Sequence, residues 1–448
     1  MSAGGASTEA GGAPAAGAEA IALLQSLIRF DTVNPPGREL PAQEHLAAYL
    51  TAAGLDCELL GAESERPNLL ARLRAPEGTP PGPTLCYLGH VDTVLADPAE
   101  WTHGPWSGDL DGGFVWGRGA LDMKSQVAAE VAAAAALARS GWRPQRGELL
   151  ICAVVDEETG GELGAQWLTS NHPEKARCDL LINEGGGSFF EYGGSRSYGV
   201  CVGEKGVFRF TITTEGVAGH ASMPAMGENA LLKMGPLLDR FAARRPGYRL
   251  TEEPLAFLAG IGEDPADPAA SIARLSAADE RLTVFFEPML GVTFTPTRIS
   301  ASEKVNVIPS RAVLKVDCRV PPGLGEQAVR EDLADVLGPK DGWHLDFTEQ
   351  VVGNRSPLAG ALMDTISGWV AEQDPGARTV PVVLPGFTDS RHFREAFPEC
   401  VAYGFFPHRH QGLLDSAPLV HAADERIDAR DLAFATGFFE DLARRILG

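Results

Sequence analysis

The chain has 448 residues, 44% of them hydrophobic and 22% charged, with a formal net charge of −22. That length exceeds what one hydrophobic core usually organises, so two domains are expected, with enough apolar material for both. The negative charge repels phosphate backbones and anionic lipid heads, which argues against nucleic acid or a membrane surface as partner.

Residues 1–18, MSAGGASTEAGGAPAAGA, lack the basic start and long apolar stretch of a signal peptide and read as a flexible tail. AIALLQSLIRF (20–30) and PAQEHLAAYLTAAG (41–54) carry apolar residues at helical spacing, and Gly54 stands where a helix C-cap belongs. TLCYLGHVDTV (84–94), ELLICAVVDEE (148–158) and CDLLINEGGG (178–187) are short, almost wholly apolar runs. Helical segments separate them, ALDMKSQVAAEVAAAAALARSG (120–141) and ELGAQWLTSN (162–171). Strands apolar on both faces and joined through helices make βαβ units, hence a parallel sheet.

Near residue 205 the texture changes. VFRFTITTEG (207–216) alternates apolar and polar residues, a helix follows near 228–244, then VTFTPTRIS, AVLKVDCRV, a helix near 325–337 and HLDFTEQVV. That order, β-α-β-β-α-β, is the ferredoxin-like split unit. Residues 246–290 read as a helical or loop elaboration of it. From about 356 the βα texture returns, and RDLAFATGFFEDLARRIL closes the chain as an amphipathic helix. The expected fold class is α/β, with a mostly parallel-sheet domain over 19–204 and 353–448 and an inserted ferredoxin-like α+β domain over 205–352. No segment approaches eighteen strongly apolar residues, so no membrane span is expected. Seven dispersed cysteines without a CxxC pair read as reduced core thiols, which suits the cytoplasm.

In a parallel sheet, ligands sit beyond the carboxyl ends of the strands. Three runs end there in polar residues: GHVD with His90 and Asp92, VVDEE with Glu157 and Glu158, and INEGG with Glu184. GRGALD brings Asp122 to the start of a helix, and VHAADERI brings His421. Two carboxylates about 4 Å apart repel by roughly 4 kcal/mol at an effective dielectric near 20. A cluster of them needs cations, and nitrogen and oxygen ligands without thiolates suit Zn²⁺, Co²⁺ or Mn²⁺. One carboxylate bridging two ions fits the surplus of acids over imidazoles. Taken singly, His90 could be a core histidine, Asp122 a helix N-cap and Glu184 a solvated turn residue; their joint placement at strand ends is what points to a metal site.

At these residues the sequence resembles the dinuclear zinc metallohydrolase family of aminoacylase, acetylornithine deacetylase, succinyl-diaminopimelate desuccinylase, glutamate carboxypeptidase and carnosinase-like dipeptidases. GHVDTV, GRGALDMKS, VVDEETGG, NEGG, GHASMP, NVIP, GFTDSR and HAADE occur in the family's order from about 20 to 448. The resemblance implies that Asp122 bridges two metal ions, with His90 and Glu184 completing one site and Glu158 and His421 the other. It implies Asp92 as the partner that fixes the His90 tautomer and Glu157 as the general base. His220 in AGHASMP would stabilise the oxyanion, Arg391 in GFTDSRHF would grip a substrate carboxylate, and Asn306 in VNVIP would face the site from the inserted domain. That domain would act as lid and dimerisation module, giving a homodimer. His408 and His410 read as surface residues or neighbours of the ligands. Glu184 stands where some members carry aspartate, and GGGSFF lacks the proline of several deacetylases, a slight lean towards carboxypeptidase-like or N-acyl-amino-acid hydrolases.

The implied activity is metal-dependent hydrolysis of an amide bond in a small carboxylate-bearing substrate, a dipeptide or N-acyl amino acid. The alternatives are a deacetylase or desuccinylase of a biosynthetic intermediate and a non-catalytic metal-binding paralogue. A nucleotide-binding oxidoreductase is set aside because no GxGxxG follows the first strand.

Overall fold

The computed structural model describes residues 13–244, 247–339 and 341–448. It divides into two compact units. One takes the chain as far as Val202, with Ser356–Val380 and Thr388–Gly448; the other is Gly203–Arg355 with Pro381–Phe387. The first twelve residues of the expected tail lie outside the described residues, whereas 13–18 already belong to helix Ala13–Ile28.

The first unit is built on a sheet whose centre is parallel. Glu148–Val154, Thr84–His90, Leu180–Asn183 and Val401–Gly404 lie side by side in that order. Asn68–Arg74 and then Asp56–Leu60 extend it antiparallel on one side, and Ser195–Glu204 borders it antiparallel on the other. Successive side chains of a strand point to opposite faces. Tyr87, Leu149, Ile151 and Ala153 accordingly join one apolar core, whereas Cys86, Leu88, Leu150 and Cys152 join another. This double burial is why the strands read as unbroken apolar runs.

The first core includes residues of helices Ala13–Ile28, Leu40–Ala53, Lys124–Arg139 and Ala429–Leu447. Alanines let these helices approach closely, and at Gly17 even a Cβ would come within 2.7 Å of the Ala433 Cβ. The second core takes Leu168 from helix Ala165–Asn171 and Phe393 from Ser390–Ala396. Gly54 caps its helix in the left-handed conformation, as its position in the sequence suggests. The helix expected from 120 begins only at Lys124, and ahead of it the Leu121 and Asp122 amides donate to the Glu425 carboxylate.

The second unit holds a five-stranded antiparallel sheet: Thr293–Ser300, Arg311–Val320, Phe210–Glu215 and Trp343–Phe347 lie in that spatial order, and the short Gly206–Val207 also pairs with Arg311–Val320. Helices Ala230–Ala243 and Glu326–Leu337 contribute Met234, Leu237, Val329 and Leu333 to a core with Phe210, Ile212, Leu314 and Val316. Chain order and spatial order are those of a ferredoxin-like unit. The elaboration is helical: Glu252–Ile261, Pro268–Ala278 and Glu280–Phe286. Asp267 and Asp279 cap the latter two through their carboxylates. The Lys205 ammonium donates to the Pro288 and Gly291 carbonyls, both at 2.7 Å, fastening the end of the elaboration to the start of the unit.

All seven cysteines are free thiols. Among the described residues, no helix is long and apolar enough to cross a membrane.

Candidate metal centre

His90 is the last residue of its strand, Glu157 and Glu158 open the turn after Glu148–Val154, and Glu184 follows Leu180–Asn183. Because these strands are parallel, all four residues emerge at one sheet edge. Asp122 reaches them from the loop before Lys124–Arg139, and His421 from the loop before strand Arg426–Asp428.

Asp122 uses its two oxygens on two different imidazoles: Oδ1 lies 3.1 Å from His90 Nε2 and Oδ2 3.1 Å from His421 Nε2. His421 Nε2 is also 3.3 Å from Glu158 Oε2, and His90 Nε2 is 3.9 Å from both Glu157 Oε2 and Glu184 Oε1. Two groups can hold a metal ion, His90 with Asp122 and Glu158, and His90 with Glu157 and Glu184; within each the ligand atoms lie within 4.8 Å of one another. The five expected ligands and the expected base are thus brought together. Glu157, read from the sequence as lying beside the ligands, stands as near to His90 as Glu184 does.

The electrostatics are those of a site completed by cations. Burial drives the Glu157 carboxyl well above the usual range; His90 draws it down, while Glu184, Asp389 and Asp122 push it up. Burial and the Asp122 charge do the same to Glu184. Burial opposes a charged His90, but the Asp122 and Asp92 carboxylates prevail and raise it well above its ordinary value. Bonds to Asp122 and Glu158 lift His421 to about 10. The surrounding carboxylates thus favour positive charge at this point. Glu158 Oε1 is buried and has no hydrogen-bond partner among the described residues, an orphan that a cation satisfies. Oxygen and imidazole donors without thiolate fit Zn²⁺ or a similar divalent ion.

Behind the ligands lies a polar layer only partly visible in the sequence. His90 Nδ1 is bonded to the Asp92 backbone carbonyl at 3.0 Å, with the Asp92 carboxylate at 3.5 Å. The Asp92 carboxylate instead accepts the Glu157 and Glu158 amides, each at 3.2 Å, so it holds the turn that carries both acids. Asn34, which the sequence reading did not single out, donates to Asp92 Oδ2, Asp156 Oδ1 and Thr159 Oγ1. Arg66 ties Asp156 to the buried Glu39, at 3.2 and 2.6 Å. Asp156 itself sits at φ 70°, in the left-handed region that aspartate tolerates better than most residues. On the far side of the turn, burial and then Arg391 push His392 down to about 4, and its neutral ring donates from Nε2 to the Gly160 carbonyl at 3.2 Å. A Cβ at Gly161 would meet Asp389 Oδ1 at 2.8 Å, so the second glycine of DEETGG makes room for that carboxylate.

Elsewhere, Arg391 forms an ion pair with Glu395 on its own helix at 3.2 Å. His220 and Asn306 belong to the second unit. Strand Gly219–His220 pairs with Val307–Ile308, the Asn306 carbonyl accepts the Ala221 amide at 3.0 Å, and Ser222 Oγ lies 2.7 Å from His220 Nδ1. Both residues are exposed, on one small ladder. His410 is exposed, whereas His408, read as a surface residue or a neighbour of the ligands, is 4% exposed, with Nδ1 3.3 Å from Ser188 Oγ. Its backbone forms a parallel bridge with Ser188.

The model of peptidase family M20/M25/M40 matches residues 86–445. The chain belongs to that family. It is an M20 metallohydrolase, an enzyme of the metallopeptidase and amidohydrolase kind that acts on a small-molecule substrate. A succinyl-diaminopimelate desuccinylase from Xanthobacter autotrophicus is 27% identical over 438 residues, covering 95% of this chain and 98% of the relative. Human carnosine dipeptidase 1 superposes with a TM-score of 0.66 at 16% identity, covering 96% of this chain and 97% of that one. An M20 metallo-carboxypeptidase from Sulfolobus solfataricus gives 0.64 at 16% identity, covering 96% and 99%. At such identities the two structures speak for the fold.

Proposed function

We propose that this M20 enzyme hydrolyses the amide bond of a dipeptide or N-acyl amino acid, using two divalent ions, Zn²⁺ foremost with Co²⁺ or Mn²⁺ as alternatives. The observation that carries the reading is the Asp122 carboxylate, with one oxygen toward each imidazole at 3.1 Å. Asp122 would serve both ions, His90 and Glu184 one of them, Glu158 and His421 the other. Bound there, the ions supply Lewis acidity toward the scissile carbonyl and acidify the attacking water.

The remaining work falls to side chains. Glu157 takes the proton from water and returns it to the leaving amine. Asp92 holds the turn that carries Glu157. The proposed roles of His220, Asn306 and Arg391 are oxyanion donor, substrate contact and carboxylate clamp. The non-catalytic alternative finds no support, since Glu157, Asp122 and His421 are all present.

A second reading, cleavage of an N-succinyl diamino acid, is favoured by the desuccinylase relative matched over nearly its whole length. The test is to load chelated protein with Zn²⁺, Co²⁺ or Mn²⁺ and screen dipeptides, N-acyl amino acids and N-succinyl diamino acids. Metal-dependent turnover of either of the first two classes supports the main reading; turnover confined to the succinyl class selects the second.

A homodimer formed through the second unit is proposed on two grounds. Strand Thr293–Ser300 ends the four-strand order with one edge unpaired among the described strands. The same unit exposes Val217, Met226, Leu232 and Val305, which are 56%, 64%, 73% and 101% exposed. The free thiols suit the proposed cytoplasmic location.

A further inference from the structure

We propose that Glu425, acting with Arg118, is the positioning pair that holds Asp122 and His421 in register as ligands of one metal centre; this rests on the reading of those two residues as ligands. Glu425 is fully buried, and its carboxylate faces the loops that carry Asp122 and His421. Oε1 accepts the Leu121 amide at 2.7 Å and the Asp122 amide at 3.1 Å. Oε2 accepts from Arg118 Nη1 at 2.5 Å. Arg118, 3% exposed, directs Nη2 to the His421 carbonyl at 3.1 Å and to that of Leu95 at 3.4 Å.

One carboxylate and one guanidinium therefore grip the backbones of two ligands about 300 residues apart, numbered 122 and 421. The grip is needed at both ends. Asp122 lies ahead of its helix, so its amide has no helical partner. His421 has φ 61°, a conformation that residues other than glycine, asparagine and aspartate seldom adopt unless something holds them. Gly117 and Gly119, at φ 146° and 90°, turn the chain around Arg118, and the Gly117 amide donates to the Glu425 carbonyl at 3.0 Å. The planar fork of arginine can engage a carboxylate and a carbonyl together, which a lysine cannot do with the same geometry.

The test measures metal binding by the full chain without substrate, using Zn²⁺ in competition with a chromophoric chelator and the visible spectrum of the Co²⁺ form. Wild type should bind two ions. Glu425→Gln should bind at least one of them about 10- to 100-fold more weakly, the usual cost of losing a partner behind the ligands. Its Co²⁺ spectrum should change, and kcat should fall while KM stays nearly constant. Arg118→Lys should weaken binding less, since the charge remains and the fork is lost. If Glu425→Gln does not fold, Arg118→Lys is read alone: weaker binding supports the pairing, and wild-type binding overturns it. Two ions bound by folded variants at wild-type affinity with an unchanged Co²⁺ spectrum would also overturn it, whatever happens to thermal stability. Failure of wild type to bind metal would instead remove the ligand reading on which the pairing rests, and the pairing with it.

Discussion

Asp92 and Glu157, 65 positions apart, are joined through the backbone: the Glu157 amide donates to Asp92 Oδ1 at 3.2 Å. The carboxylate two residues after His90 thus reaches the turn of the proposed base, while the imidazole donates from Nδ1 to the Asp92 carbonyl. One residue couples the position of a proposed ligand to that of the proposed base.

Replacing the base alone should separate metal binding from turnover. Glu157→Gln is expected to retain its metal content and lose about 10²- to 10⁴-fold in kcat, the range for loss of general acid–base catalysis. Metal analysis and steady-state kinetics on one preparation check this, and full turnover with full metal would refute the role.

The polar layer behind the turn should matter to stability and to rate. Asn34→Ala removes one donor shared by Asp92, Asp156 and Thr159, and should cost about 1–3 kcal/mol in urea unfolding, with a larger effect on kcat than on KM. Arg66→Met strands the fully buried Glu39 without its partner and should cost more, about 3–5 kcal/mol.

Which of these parts could be read in advance follows from physics. Strands Thr84–His90 and Glu148–Val154 are legible because burial on both faces demands unbroken apolar runs, and the acids that end them are conspicuous for the same reason. Asn34, Glu39 and Arg66 are single polar letters brought together only by folding; TVNPPG signals a turn, but not what the turn faces. Arg118 and Glu425 lie inside stretches that attract attention for Asp122 and His421, and their own role needs the tertiary pairing. The helices of 252–286 carried a usable signal in the caps Asp267 and Asp279, diluted by short elements of mixed polarity.

Lys205, in the second unit, provides a pH test. Burial pushes its ammonium down to about 7, against an ordinary value near 10.5. Between these values the unfolded chain binds more protons than the folded one, so this group's contribution to stability rises with pH, being complete above 10.5 and lost as pH falls toward 7. The unfolding free energy of wild type relative to Lys205→Met should therefore shift in favour of wild type from pH 7 to pH 9.5. Urea unfolding at the two pH values measures it, and a flat or opposite trend contradicts the burial argument.

His220→Ala should leave metal content unchanged and lower kcat by about 10²- to 10³-fold, the scale for an oxyanion donor. A change confined to KM would assign His220 to substrate binding instead.

The central claim is that Asp122 joins two cations at the sheet edge, and anomalous scattering from crystals of the Zn²⁺-loaded protein tests it most directly. The account predicts two peaks about 3.5–4 Å apart with one Asp122 oxygen on each. A single ion, or two ions neither of which touches Asp122, would contradict it.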